Sequence, residues 1–273
     1  MTLLLTLLLL LSSGTASLVD TRVGTAASSA PSSSLFGSGG EVFGHVLPCV
    51  TEPHGQTFWT PQTRPTELKG HCPYYYADSL FQGFRASHWL VGGATQDYGS
   101  FTLMPGRGPV RLQPGERALP FSHDGETATP SCYAVRLPGM TAGMTGRSHA
   151  AIWRLTGAEW VVVQVNSDEG EGILEVDPEA REIRGSNPVH RIYQGKGKPA
   201  GFSGHFVVRF EAPVLESGVQ GDCAWVRLDA SDTLIVRAGT SFSSVEAARA
   251  NLEAEIPEPS GIRTATHTVP LRP

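Results

Sequence analysis

The 273-residue sequence is short of charge: Asp, Glu, Lys and Arg make up 17% of it, and the net charge of -5 leaves no basic stripe. Nucleic acid is thereby disfavoured as a partner, and no polybasic patch follows the amino-terminal run to suggest a membrane surface. Cysteine is scarce, with four residues (Cys49, Cys72, Cys132, Cys223) and no Cys-x-x-Cys spacing, which disfavours a zinc ribbon. The acidic turn Asn166–Gly172 carries Asp168, Glu169 and Glu171 but lacks EF-hand spacing, so it reads as a solvated turn. Lys196 and Lys198 sit between glycines without a Walker pattern, so they mark an exposed loop and not a phosphate cradle. No internal repeat and no βαβ rhythm is visible, which argues against a solenoid and against a parallel sheet.

Long apolar runs are also missing, with one exception. Leu3 to Leu11 is too short to span a bilayer, and the SSGTAS after it offers small residues for cleavage. A secretory signal over residues 1–17 is therefore expected, and with it an extracellular location in which the four cysteines can pair in three ways. The segment Val19–Pro48 is rich in Gly, Ser and Ala and reads as a mobile linker.

What is abundant is glycine (31), proline (20) and β-branched alternation. CYAVRL, MTAGMT, HAAIWRL, WVVVQVN, HFVVRFE, AWVRL and TLIVRAG are period-two runs bounded by turn residues. In HFVVRFE, Phe206, Val208 and Phe210 share one face, and Val207 and Arg209 the other. These runs predict an all-β fold, a large antiparallel β-sandwich in one domain. One helix is expected near the carboxy terminus, where Ser243 and Glu246 form a capping box and Val245, Ala248 and Leu252 share a face. Trp59 and at least one of Tyr74, Tyr75 and Tyr76 read as core.

The densest chemistry lies between Phe81 and Pro105, FQGFRASHWLVGGATQDYGSFTLMP. Arg85, His88, Trp89, Gln96, Asp97 and Tyr98 crowd one loop that ends in a short strand closed by Pro105. Hydroxyls of a sugar need planar, bidentate partners and the apolar ring face needs an aromatic, and this loop offers both. Each residue also has a plain alternative: an ion pair between Arg85 and Asp97, packing for Trp89, backbone bonds that fix the loop for His88 and Gln96.

The runs GFRASHW and QDYGSFTLMP, with GHVLPCVTEPHG before them and LPFSHDGETATPSCYAVRL, NPVHRIYQGKGKPAGFSGHFVVRFEAP and AGTSFSSVEAARANLEAEIP after, resemble the amino-terminal domain of glycoside hydrolase family 92, the secreted calcium-dependent α-mannosidases. The likeness runs from about Leu18 to Pro257. It implies a β-sandwich over 18–257 that closes the substrate site of an inverting mannosidase, acting on mannose-containing glycans, with Arg85, His88, Trp89, Gln96 and Asp97 facing the sugar. It further implies a Gly-rich loop near the cleft, including Gly39, Gly40, Gly44 and His45. Catalytic carboxylates and most Ca2+ ligands would belong to a helical catalytic domain, so no residue of this chain is assigned a catalytic role, and Asp97 is expected to accept a sugar hydroxyl. The tail 258–273, EPSGIRTATHTVPLRP, has no apolar period and diverges from the family pattern. It is expected to reflect a frame change, a retained intron or a truncated gene model. The competing expectations are a stand-alone secreted carbohydrate-binding sandwich and a nonfunctional fragment.

Overall fold

A computed structural model describes residues 18–28, 44, 46–64, 72–88, 97–167, 170–190, 198–229 and 232–258. In chain order the strands begin with β1 (Phe58–Gln62), β2 (Leu80–Phe81), β3 (Gly83–Ser87) and β4 (Phe101–Gly106). A one-turn helix α1 (Pro114–Arg117) leads to β5 (Leu119–Pro120), β6 (Glu126–Thr129), β7 (Cys132–Leu137), β8 (Met140–Gly146), β9 (Ala150–Thr156) and β10 (Trp160–Val165). The chain then forms β11 (Ile173–Asp177), β12 (Glu182–His190), β13 (Pro199–Phe210), β14 (Val214–Gln220), β15 (Cys223–Leu228), β16 (Thr233–Ser241) and helix α2 (Val245–Glu255).

Two antiparallel sheets face each other, one of order β1-β3-β4-β10-β15-β14 and one of order β11-β12-β13-β16-β9-β8-β7-β6, with β2 and β5 as a small separate pair. The period-two alternation sends one set of side chains between the sheets. Phe84, Leu103, Val161, Val163 and Val226 from the first meet Tyr133, Met144, Trp153, Phe206, Val208 and Val236 from the second. Trp59 is fully buried and meets Trp153 edge to face, with ring centroids 5.6 Å apart. Residues of the opposite parity serve other neighbours. Val207 packs with Ala248 and Leu252 of α2, while Trp160 and Val162 join Cys223 on the outer side of the first sheet.

Helix α2 lies on the outer face of the eight-stranded sheet, over β16. Closeness is possible because residue 239 is glycine: a Cβ there would stand 2.3 Å from the Ala248 carbonyl oxygen. The helix cap falls one residue later than the capping-box pattern predicts. Ser244, not Ser243, is the N-cap, and its hydroxyl accepts the Ala247 amide at 3.1 Å. Likewise, β4 does not stop before Pro105 but carries it in register opposite Val161.

Register decides which loops meet. Phe58 stands opposite Ser87, Ala86 opposite Phe101, Gly146 opposite Ala151, Ala150 opposite Gly239 and Ser241 opposite His205. The stretches flanking these residues, at 51–57, 88 and 97–100, 147–149 and 242–244, therefore emerge at the same end of the sandwich. That end holds the loop in which the sequence concentrates its polar groups.

Candidate functional site

Arg85 sits in β3 with its side chain wholly inaccessible, and Asp97 follows the loop with 4% of its side chain exposed. The Arg85 Nε donates to Asp97 Oδ2 at 2.6 Å. The other carboxylate oxygen accepts the backbone amides of His88 and Tyr98, each at 2.9 Å. Charged donors and aligned amides on a buried carboxylate make a rigid clasp, and removing either charge would strand the other in a low-dielectric interior. Of the alternatives open for Arg85, the structure shows the brace: the pair ties the two ends of the loop together.

His88 is the next layer. Its Nδ1 lies 2.9 Å from the Tyr98 carbonyl oxygen, and a carbonyl only accepts, so Nδ1 carries the proton. Burial of the ring holds its pKa below the usual histidine value, against an opposing pull from Asp97. The neutral ring therefore accepts at Nε2 from the Thr57 hydroxyl, 3.2 Å away. Thr57 is in turn 2.7 Å from the Thr240 hydroxyl. The Thr240 amide donates to the His149 carbonyl at 2.8 Å, and His149 meets Glu255 at the last turn of α2 through Nδ1 at 2.7 Å. A continuous polar seam thus runs from the loop to the helix.

Over this seam lies an aromatic surface. Phe242 packs on His88 with centroids 4.7 Å apart, Tyr98 lies against Phe242 at 5.9 Å, and Phe202 meets Phe242 edge-on at 5.5 Å. Phe202 is 39% exposed. Backbone approach beneath it is tight. Gly99 has φ +62, and a Cβ on Gly204 would fall 2.2 Å from the Gly99 oxygen, so both positions need glycine. A rigid ring surface on a sheet end, with hydroxyls and amides around it, suits the face of a pyranose.

The structure thus brings Arg85, His88 and Asp97 together and puts Gly44 elsewhere, its amide donating to the Gly24 oxygen at 2.9 Å. Gly39, Gly40, His45, Trp89 and Gln96 lie outside the described residues. Sequence reasoning missed Thr57, His149, Phe202, Thr240, Phe242 and Glu255, which are far apart along the chain and share no motif. Only strand register joins them.

The other buried acids among the described residues are committed to structure. Glu126 accepts hydrogen bonds from Tyr74 at 2.9 Å and Tyr133 at 2.5 Å, and pairs with Arg22 at 3.1 Å and His123 at 2.6 Å. Burial tends to push the Glu182 pKa up, but hydrogen bonds from Arg249 and Arg209 outweigh it and hold the carboxyl below its usual range. Among the described residues, no group of three or more His, Cys, Asp or Glu side chains is placed to hold a metal ion.

What these features define is a loop-bearing antiparallel sandwich with a polar and aromatic surface at one end. Residues 18–250 match the model of the glycosyl hydrolase family 92 N-terminal domain, and the chain belongs to that family. A solved family GH92 inverting mannosidase from Bacteroides thetaiotaomicron VPI-5482 superposes with a TM-score of 0.69 at 31% identity, covering 79% of this chain and 31% of that one. A family GH92 α-mannosidase from Bacteroides thetaiotaomicron shares the fold with a TM-score of 0.66 at 21% identity, over 86% of this chain and 34% of that one. The chain spans about a third of the length of these relatives. The comparison with curated proteins found no match.

Proposed function

We propose that this domain forms one wall of the substrate site of a secreted α-mannosidase, the second wall being a helical catalytic domain. Family membership supports a mannoside as the substrate class, and the observation that carries the reading is the convergence of Tyr98, Phe202 and Phe242 over the His88 seam. Inverting hydrolysis requires one carboxylic acid to protonate the leaving oxygen and a carboxylate about 6.5–9.5 Å away to activate water. Asp97, Glu126 and Glu182 are each buried and engaged by donors, which fits them for support and not for proton transfer.

In this reading the domain binds and orients a mannose residue and excludes water, while the proton-handling groups and the calcium ligands reside in the partner domain. Arg85, His88 and Asp97 act from beneath by fixing the loop, Trp89 and Gln96 face the sugar, and the isolated chain is inactive. The sandwich over 18–257 is the unit, preceded by a signal over 1–17. Titrating methyl α-mannoside into the chain while recording amide NMR shifts tests the reading. Shifts concentrated at Tyr98, Gly99, Phe202 and Phe242 are expected; none at saturating sugar, or shifts confined to another face, would overturn it.

A further inference from the structure

All four cysteines are free thiols in the structure, and they fall into three separate environments. Cys132 opens β7 in the eight-stranded sheet, where its thiol lies 3.3 Å from the Thr129 hydroxyl. Cys223 opens β15 in the other sheet, on its outer side, with Asp222 Oδ1 at 3.4 Å and the Leu112 carbonyl at 3.7 Å. Cys49 and Cys72 share the third. Cys49 packs against a small buried cluster of Leu47, Cys72 and Tyr75, apart from the main core.

The backbone holds both cysteines beside β1. Val50, next to Cys49, bridges Trp59 with its amide 2.8 Å from the Trp59 oxygen. Along the same edge, just past the end of β1, Thr63 donates its amide to the Pro73 carbonyl at 2.8 Å, and the Cys72 amide donates to the Tyr75 hydroxyl at 3.1 Å. Neither segment belongs to a named strand, and each leans on β1 by few backbone bonds. A covalent tie here would close the loop that contains β1 and would fix the segment bearing Tyr74 and Tyr75. The same tie would hold Phe58, which packs on this cluster at the loop-bearing end.

We propose that Cys49 and Cys72 form a disulfide, whereas Cys132 and Cys223 remain thiols. The reaction needs a disulfide oxidant, such as glutathione disulfide. The Cys49 or Cys72 thiolate attacks it, expelling one thiolate; the second protein thiolate then displaces the other. The product is one protein S–S bond with loss of two protons and transfer of two electrons, and the oxidant leaves as two thiols. Burial pushes both thiols up to about 11, so the bond is expected to form while the chain folds, before the cluster closes.

The test is to refold the 273-residue chain with glutathione disulfide, trap thiols by alkylation under denaturing conditions, and weigh the intact protein and its peptides. Two alkylated cysteines and a cross-linked pair of peptides bearing Cys49 and Cys72 are expected, with reductant lowering the midpoint of thermal unfolding. Four alkylated cysteines, or a bridge that includes Cys132 or Cys223, would overturn the proposal. In Cys49→Ser the reductant effect should vanish. Should that variant fail to fold, the double variant Cys132→Ser/Cys223→Ser decides the matter: it should keep no alkylatable thiol after oxidation, and two would refute the bridge.

Discussion

Asp97→Asn is the sharpest perturbation of the loop. The substitution keeps the shape of the side chain but removes the charge facing Arg85, whose side chain is wholly buried. It also replaces one oxygen by an amide donor where three donors converge, so at least one N–H is left facing another. Breaking a buried pair from one side costs about 3–5 kcal/mol, chiefly because the surviving charge stays desolvated. With a urea slope of about 3 kcal/mol/M, the denaturation midpoint should fall by about 1 M or more. The second measurement is a double-mutant cycle. Arg85→Met combined with Asp97→Asn removes the stranded cation, while the introduced carboxamide can still accept from the two backbone amides, so the double variant should regain part of the loss. A midpoint within about 0.2 M of the parent for Asp97→Asn, a limit set from the ~0.5 kcal/mol scale of ordinary surface changes, would show that the pair is not the internal brace described.

Other consequences can be measured in the same way. Ser244→Ala should cost about 1 kcal/mol while Ser243→Ala stays within about 0.5 kcal/mol, a contrast that denaturant titration reads directly and that equal losses would contradict. Gly239→Ala drives a methyl into the Ala248 carbonyl and the Leu252 side chain, and should lower stability by about 1–3 kcal/mol and lift α2 from the sheet, seen as loss of amide protection in the helix. His88 is buried with its pKa held below the ordinary value, so the unfolded chain binds its proton first as pH falls. Its contribution is therefore complete above about pH 6.5 and declines as pH drops below that value, with Asp97, Arg85 and His149 as the neighbouring charged or titratable groups. His88→Gln should flatten this decline between about pH 6.5 and the depressed folded value; an unchanged profile would place the titration elsewhere.

The sandwich was legible because its strands alternate cleanly. Phe206, Val208 and Phe210 point into the core and Val207 and Arg209 away from it, as period two requires. The helix was legible too, and its face was right, with Ala248 and Leu252 buried. Its first residue was not, because Ser243 and Ser244 are both competent caps and only backbone geometry selects between them. The tyrosine triplet shows a second limit. In an extended segment alternate rings would face opposite ways, yet Tyr74 and Tyr75 are both buried and Tyr76 is 40% exposed. The segment is not a strand, and Glu126 captures the Tyr74 hydroxyl while the Cys72 amide takes that of Tyr75.

At the candidate site, the polar loop was visible in its composition, but composition does not tell a side chain that touches a ligand from one that holds the loop. Arg85 and Asp97 have the chemistry for either, and a strand position in the interior decides for the brace. Phe202 and Phe242 carry no local signal at all. They meet Tyr98 only because β13 and β16 pair so that His205 stands opposite Ser241.

Division of labour between two domains underlies the proposed function. Mannose release from an α-linked mannoside, measured for this chain with calcium added and with calcium chelated, tests it most directly. No turnover above the uncatalysed rate is predicted in either condition; calcium-dependent release by this chain would contradict it.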